Sequence, residues 1–64
     1  MSIISEMKIG AIALYIEANP LRTAGEIANH FKMDRLRVYD CIAELMRRNI
    51  VTGTMEKPQK WVIK

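Results

Sequence analysis

Two arginines, Arg35 and Arg37, stand at the start of a predicted helix, and their chemistry suits an acidic polymer. A guanidinium group forms paired hydrogen bonds with a guanine edge or with a phosphate. Leu36 lies between them, opposite the core residue Val38, and could contact a thymine methyl group. The other residues predicted on or beside this face are Tyr39, Asp40, Ala43 and Arg47. The pattern predicts a helix that reads double-stranded DNA; the alternative is a solvated face with one exposed leucine.

Two lysines near the C-terminus, Lys57 and Lys60, lie at or beside the tip of a predicted β-hairpin. In that position they could contact the phosphates that flank a binding site. They could equally protect exposed strand edges from aggregation. Trp61 follows directly, and we predict that it lies in the core, because so small a domain needs the area that a tryptophan buries.

Composition limits the number of domains and the kind of partner that the chain can have. Apolar residues make up 50% of the 64 residues and charged residues 27%, which is typical of one globular domain. The net charge of +3 is uneven: residues 1–34 carry three basic and four acidic side chains, and residues 35–64 carry seven and three. The basic half indicates a polyanionic partner, although a solvated surface rich in lysine explains it as well.

Several classes of protein are disfavoured. The single cysteine, Cys41, cannot form an internal disulfide, which favours a reducing compartment and hence the cytoplasm. With His30 it cannot complete a four-ligand zinc site, so no metal is expected. No phosphate loop or nucleophile–base pair is recognisable, and the chain is short for an enzyme cleft. We therefore expect no enzyme activity, no cofactor, no small-molecule ligand and no membrane span.

The first half of the chain predicts two helices. Helix one runs from about Ser2 or Ser5 to Ala18, where Asn19-Pro20 ends it. Leu21-Arg22 is predicted to be a short extended link. Helix two begins at Thr23, which forms a capping box with Glu26. Its predicted buried face consists of Ala24, Ile27, Ala28 and Phe31.

The second half predicts one more helix and a hairpin. Asp34 is a suitable N-cap for helix three, which runs from Arg35 to about Arg48. Its predicted core stripe is Val38, Cys41, Ile42, Leu45 and Met46. Asn49 suits a left-handed cap with Ile50 packing back. Residues 50–55 and 60–63 are rich in β-branched residues and read as the two strands of a hairpin.

The order of these elements defines a fold. Only Lys32, Met33 and Asp34 separate helices two and three, so the link fixes a steep angle between them. We predict a mainly α domain with a small β-hairpin, namely a single winged helix-turn-helix over residues 1–64. Helix three would enter a DNA major groove, and the hairpin, or wing, would touch the flanking backbone.

The stretch TAGEIANHFKMDRLRVYDCIAELMRRNIV resembles the helix-turn-helix of many bacterial winged-helix regulators. In length and layout, including the aromatic strand KWVIK, the chain is similar to the small FaeA-like and PapI-like regulators of pilus operons. The resemblance implies a transcription regulator that acts with a partner protein. One departure from the pattern is Lys32, where many helix-turn-helix proteins have glycine.

Helix one is apolar nearly all round. Ile9, Ile12, Ala13 and Ile16 form one predicted face, toward the core, and a second face carries Ile4, Met7, Ala11 and Leu14. An apolar stripe of this kind on a small protein usually marks an interface. We expect this second face to bind another copy of the chain, as a homodimer, or a partner regulator.

Two functions remain open on the sequence. One is a regulator of transcription that binds DNA sequence-specifically, as activator or repressor. The other is a winged helix that serves only protein–protein interaction, as an adaptor or antagonist of a larger regulator. A DNA reader must bind random duplex with an affinity that falls steeply with salt, and an interaction module need not.

Overall fold

The structure, a computed structural model, describes residues 6–64. Its elements in chain order are α1 (Glu6–Ala18), β1 (Arg22–Thr23), α2 (Ala24–Phe31), α3 (Arg35–Arg47), β2 (Val51–Gly53) and β3 (Lys60–Ile63). Three helices followed by a small wing confirm the predicted fold class. The end of helix one at Ala18 is confirmed, and its predicted start at Ser2 or Ser5 lies outside the described residues.

The sheet has three strands where the sequence predicted two. Its order is β1-β3-β2 with antiparallel pairing throughout, so β3 is the central strand. Arg22 pairs with Trp61, and the Leu21 amide donates to the Trp61 carbonyl at 3.0 Å. Leu21-Arg22 was predicted as a short extended link. Arg22 is extended, but its pairing with β3 was not predicted and makes Arg22–Thr23 a strand, and Leu21 has a left-handed φ of 64°. The strand predicted over residues 50–55 is shorter, Val51–Gly53.

Local hydrogen bonds fix the start of α2 and of α3. At α2 the Glu26 amide donates to Thr23 Oγ1 at 3.1 Å, and the Thr23 amide donates to Glu26 Oε1 at 3.0 Å. These two bonds are the predicted capping box. At α3 the Leu36 amide donates to the Asp34 side chain at 3.4 Å, which confirms Asp34 as the N-cap.

Both α2 and α3 end in a left-handed residue that is not glycine. After α3, Asn49 has φ 65°, and the Ile50 amide donates back to the Leu45 carbonyl at 2.9 Å, as predicted. After α2, Lys32 has φ 54° and ψ 46°, and the Met33 amide donates to the Ala28 carbonyl. The lysine thus occupies the position that suits glycine, because a side chain is strained there.

One core joins the three helices and the sheet. Its buried members are Ile9, Ile12, Ile16, Ala24, Ile27, Ala28, Val38, Cys41, Ile42, Leu45, Val51 and Trp61. Ile12, Ile16, Ile27 and Val38 have no exposed surface, and Trp61 is 4% exposed, which confirms its predicted place in the core. Met46 was predicted in the core stripe and is 46% exposed. It lies about 90° round the helix from the centre of the buried stripe.

Candidate nucleic-acid interface

The side of α3 that faces away from the core carries Leu36, Asp40, Ala43 and Arg47, and all four are exposed. We call these four residues the α3 face. Leu36, in the first turn of α3, is 71% exposed. Tyr39, 47% exposed, flanks the face on one side. The structure thus brings together the helix residues that the sequence predicted for contact.

The first turn of α3 supplies two cations. Arg35 and Arg37 are both exposed, and within residues 6–64 neither guanidinium lies within 4.0 Å of a carboxylate. Arg35 also borders α2: a Cβ added at Gly25 would lie 3.8 Å from Arg35 Nη1. Arg35, Lys32 and Asn29 line an open groove between α2 and α3. Positive charge is therefore available to a ligand at this end of the helix.

The last turn of α3 differs, because its cations are already paired. Arg47 donates to Glu44 through Nε at 3.1 Å and through Nη2 at 2.5 Å. Arg48 donates to Glu44 Oε2 at 2.8 Å and reaches Glu6 at the start of α1 at 2.6 and 3.0 Å. These four residues form a network that joins α1 to α3. The hydrogen bond from Arg48 lowers the pKa of Glu6, and hydrogen bonds from Arg47 and Arg48 lower the pKa of Glu44.

Sequence reasoning missed this network. Glu44 precedes Arg47 and Arg48 by three and four residues, a spacing that signals helix ion pairs, so part of it was readable. The bond between Glu6 and Arg48 joins residues 42 positions apart, and no local pattern indicates it. Arg47, predicted as a contact residue, is 75% exposed in its side chain yet bound to Glu44.

The wing spans the residues between β2 and β3. Lys57 and Met55 are exposed on it, and Met55 is 99% exposed. Lys60 is not at the tip: it begins β3, it is half-buried, and its ammonium lies 3.8 Å from Glu56. Of the two predicted wing lysines, Lys57 is thus the one placed for contact.

Gly53 is required where the wing meets the core. It pairs with Trp61 across the sheet. A Cβ at Gly53 would lie 2.7 Å from the Trp61 ring and 2.5 Å from the Gln59 amide. A side chain at this position would therefore displace the ring, and the glycine fixes how closely the wing packs on the core.

The second face of α1 is exposed as predicted. Met7 is 86% and Leu14 68% exposed, and Ala11 is half-buried. Met7, Ala11 and Phe31 line a shallow groove beside Lys8. Ile4, also predicted on this face, lies outside the described residues. What covers the face stays a prediction.

None of the helices within residues 6–64 has the length and apolarity that a membrane crossing requires. Over the same residues no cluster of three or more His, Cys, Asp or Glu side chains could hold a metal ion.

The fold is that of a known class of winged helix. The Zalpha domain of PKZ from Carassius auratus, crystallised in complex with Z-DNA, superposes on the chain with a TM-score of 0.86. The two sequences are 26% identical, and the match covers 91% of this chain and 94% of the other. The three helices and the small antiparallel sheet therefore form a Zalpha-like winged-helix domain.

Two further comparisons, with family models and with curated proteins, found no match. The resemblance to the FaeA-like and PapI-like pilus regulators, and with it a bacterial origin, therefore stays a prediction.

Proposed function

We propose that this chain is a DNA-binding domain that contacts the duplex with the α3 face, with Arg35 and Arg37, and with the wing. The observation that carries the proposal is the superposition, over almost the whole of both chains, on a domain that was crystallised on Z-DNA. The exposed α3 face and the unpaired arginines at its start support it. The role is binding, without catalysis.

The helical form of the DNA is the first point to test. Because the similar domain was crystallised with the left-handed form, we propose that this chain also favours left-handed DNA. A d(CG) repeat duplex can adopt that form, and a mixed-sequence duplex of equal length presents the same number of phosphates. Titration of each, followed by circular dichroism of the DNA, should show inversion of the DNA spectrum for the repeat alone.

The outcomes of this titration separate three cases. Inversion for the repeat supports left-handed recognition. Equal binding to both duplexes without inversion supports contact with right-handed DNA. Binding to neither duplex at low salt contradicts the proposal, since phosphate contacts are strongest there.

A second candidate is sequence-specific regulation of transcription through right-handed DNA. The two unpaired arginines in the first turn of α3 favour it, since a guanidinium can bond a guanine edge in the major groove. Selection of bound duplexes from a random pool should then yield a preferred sequence. A pool that stays random after selection contradicts this candidate and leaves the left-handed proposal untouched.

The apolar face of α1 favours a protein partner in addition. We propose that Met7, Ala11 and Leu14 join two copies of the chain, and a foreign regulator is the alternative occupant. Sedimentation over a wide concentration range should show association of the parent, and Leu14→Glu should abolish it. Met55→Glu on the wing is the matched control, because it also adds a carboxylate to an exposed apolar site. A parent that stays monomeric contradicts the homodimer.

DNA titration of the parent and of Leu14→Glu tests the alternative that the chain is only a protein–protein interaction module. If the chain serves only protein–protein contact, the parent should bind no duplex at any salt concentration. If it binds DNA, its affinity should fall steeply as salt rises, and Leu14→Glu should bind a single site as the parent does.

A further inference from the structure

Asp40 lies in the middle of the α3 face, and the rest of the fold makes no use of its charge. Four of the other acidic side chains, Glu6, Glu26, Glu44 and Glu56, lie within 4.0 Å of a cation. Asp34 caps α3. Within residues 6–64 the carboxylate of Asp40 has no such partner, and its residue is exposed.

The position of Asp40 is unfavourable for stability. Aspartate is among the poorer helix formers in the interior of a helix. Glu44 follows four residues later, where a like charge is mildly repulsive, and Arg37, three residues earlier, does not come within 4.0 Å of the carboxylate. Leu36 and Ala43, the neighbours of Asp40 on the face, offer no hydrogen bond from their side chains. A residue that helps the fold so little, on a surface offered to a polyanion, points to a role in recognition.

The chemistry of a carboxylate limits what that role can be. An ionised carboxylate only accepts hydrogen bonds, and it repels phosphate. In the major groove the available donors are the amino groups of cytosine and adenine, and aspartate commonly accepts from cytosine. Resting on the second candidate function above, sequence-specific binding of right-handed DNA, we propose that Asp40 determines specificity. It accepts a hydrogen bond from an exposed base amino group and weakens contacts made through the backbone alone.

Three variants matched in charge test this role. Asp40→Asn and Asp40→Ala remove the charge from the α3 face. Glu17→Gln removes another described carboxylate that has neither a cation partner nor a capping role, on the exposed side of α1. All three change the net charge by the same amount. On a mixed-sequence duplex, both Asp40 variants should bind about threefold to tenfold more tightly than Glu17→Gln does, because a charge near the phosphates acts more strongly than a distant one.

Selection from a random duplex pool gives the second readout. The parent should enrich cytosine or adenine at one position. Asp40→Ala should lose that enrichment, and Asp40→Asn should move it to adenine, to which an asparagine amide can form two hydrogen bonds. Circular dichroism checks that each variant stays folded, and alanine, the best helix former, is the safer of the two.

Three results would overturn the role of Asp40. One is that both Asp40 variants match Glu17→Gln in affinity. Another is that they bind more weakly than the parent. The third is a selected sequence unchanged in both variants. A parent whose selected pool stays random overturns both the second candidate function and the role of Asp40. A parent that binds no duplex contradicts DNA binding itself, and the parent titration reveals that case before any variant is made.

Discussion

The two ends of α3 carry the same residue type in opposite situations. At the first turn, Arg35 and Arg37 have no carboxylate within 4.0 Å among the described residues. At the last turn, Arg47 and Arg48 are bonded to Glu44, and Arg48 also to Glu6. Four arginines therefore divide into two that can meet a ligand and two that are already bonded to carboxylates, of which Arg48 joins the end of α3 to α1.

The difference shows why a charge count overstates a binding surface. Residues 35–64 carry seven basic and three acidic side chains, yet two of those acids neutralise cations that the count treats as free. A cation already paired must give up its partner before it can bind a phosphate, so it gains less from the new contact. The first turn of α3 should therefore dominate electrostatic binding.

The largest expected effect comes from removing the two arginines at the first turn of α3 and comparing the loss with removal of the two at its last turn. Arg35→Ala with Arg37→Ala should weaken DNA binding by about 1–3 kcal/mol for each arginine that reads a base, and uniformly across sequences for each that binds phosphate. Arg47→Ala with Arg48→Ala removes the same charge and should weaken binding much less. Fluorescence anisotropy with a labelled duplex measures both. Equal losses in the two double variants would show that the carboxylate network does not hold its arginines back.

The wing offers the same comparison on a smaller scale. Lys57 has no carboxylate within 4.0 Å among residues 6–64, whereas Lys60 lies 3.8 Å from Glu56. Lys57→Ala should lower the slope of log affinity against log salt by about 0.9 if it contacts one phosphate. Lys60→Ala should lower it by less. Salt titration of both variants decides, and an unchanged slope in both would assign the lysines to protection of the strand edge.

Two substitutions at Lys32, in the link before α3, separate the effect of its charge from the effect of its strained backbone. Lys32→Gly should stabilise the fold by about 0.5–1 kcal/mol, because glycine adopts a positive φ without strain. Lys32→Ala removes the same charge and keeps the strain, so it should not stabilise. Chemical denaturation measures the stability of each. Equal DNA affinity in the two variants would show that any change in binding comes from charge; a stabilised alanine variant would contradict the strain at Lys32.

The smallest expected effect is on the stability that the carboxylate network at the last turn of α3 gives to the fold. The pKa of Glu6 and of Glu44 is lowered, so the network stabilises the fold above their ordinary value of 4.5 and loses that contribution as the pH falls through the lowered values. Arg48→Met should lower the melting temperature slightly at pH 7 and less at pH 3. Parallel melts of parent and variant measure this. A difference that grows toward acid pH would contradict the sign of the linkage.

Local signals in the sequence predicted most of the fold. The capping box at Thr23, the N-cap at Asp34 and the left-handed Asn49 each depend on residues within a few positions, and all three are confirmed. Non-local pairing was harder to predict. The strand Arg22–Thr23 has two residues and exists only because β3 lies beside it. The candidate site followed the same division: helical periodicity predicted the α3 face, whereas the pairing of Arg48 with Glu6 could not be predicted from the sequence.

The central place of β3 has a consequence during synthesis. Both other strands pair with it, and it comes after them and after all three helices. While a ribosome is still adding residues 60–63, the helices have neither Trp61 nor a sheet to cover their apolar faces. Closure of the domain must therefore follow release of this segment. The only tryptophan of the chain lies in that strand, so its fluorescence would report the moment of closure.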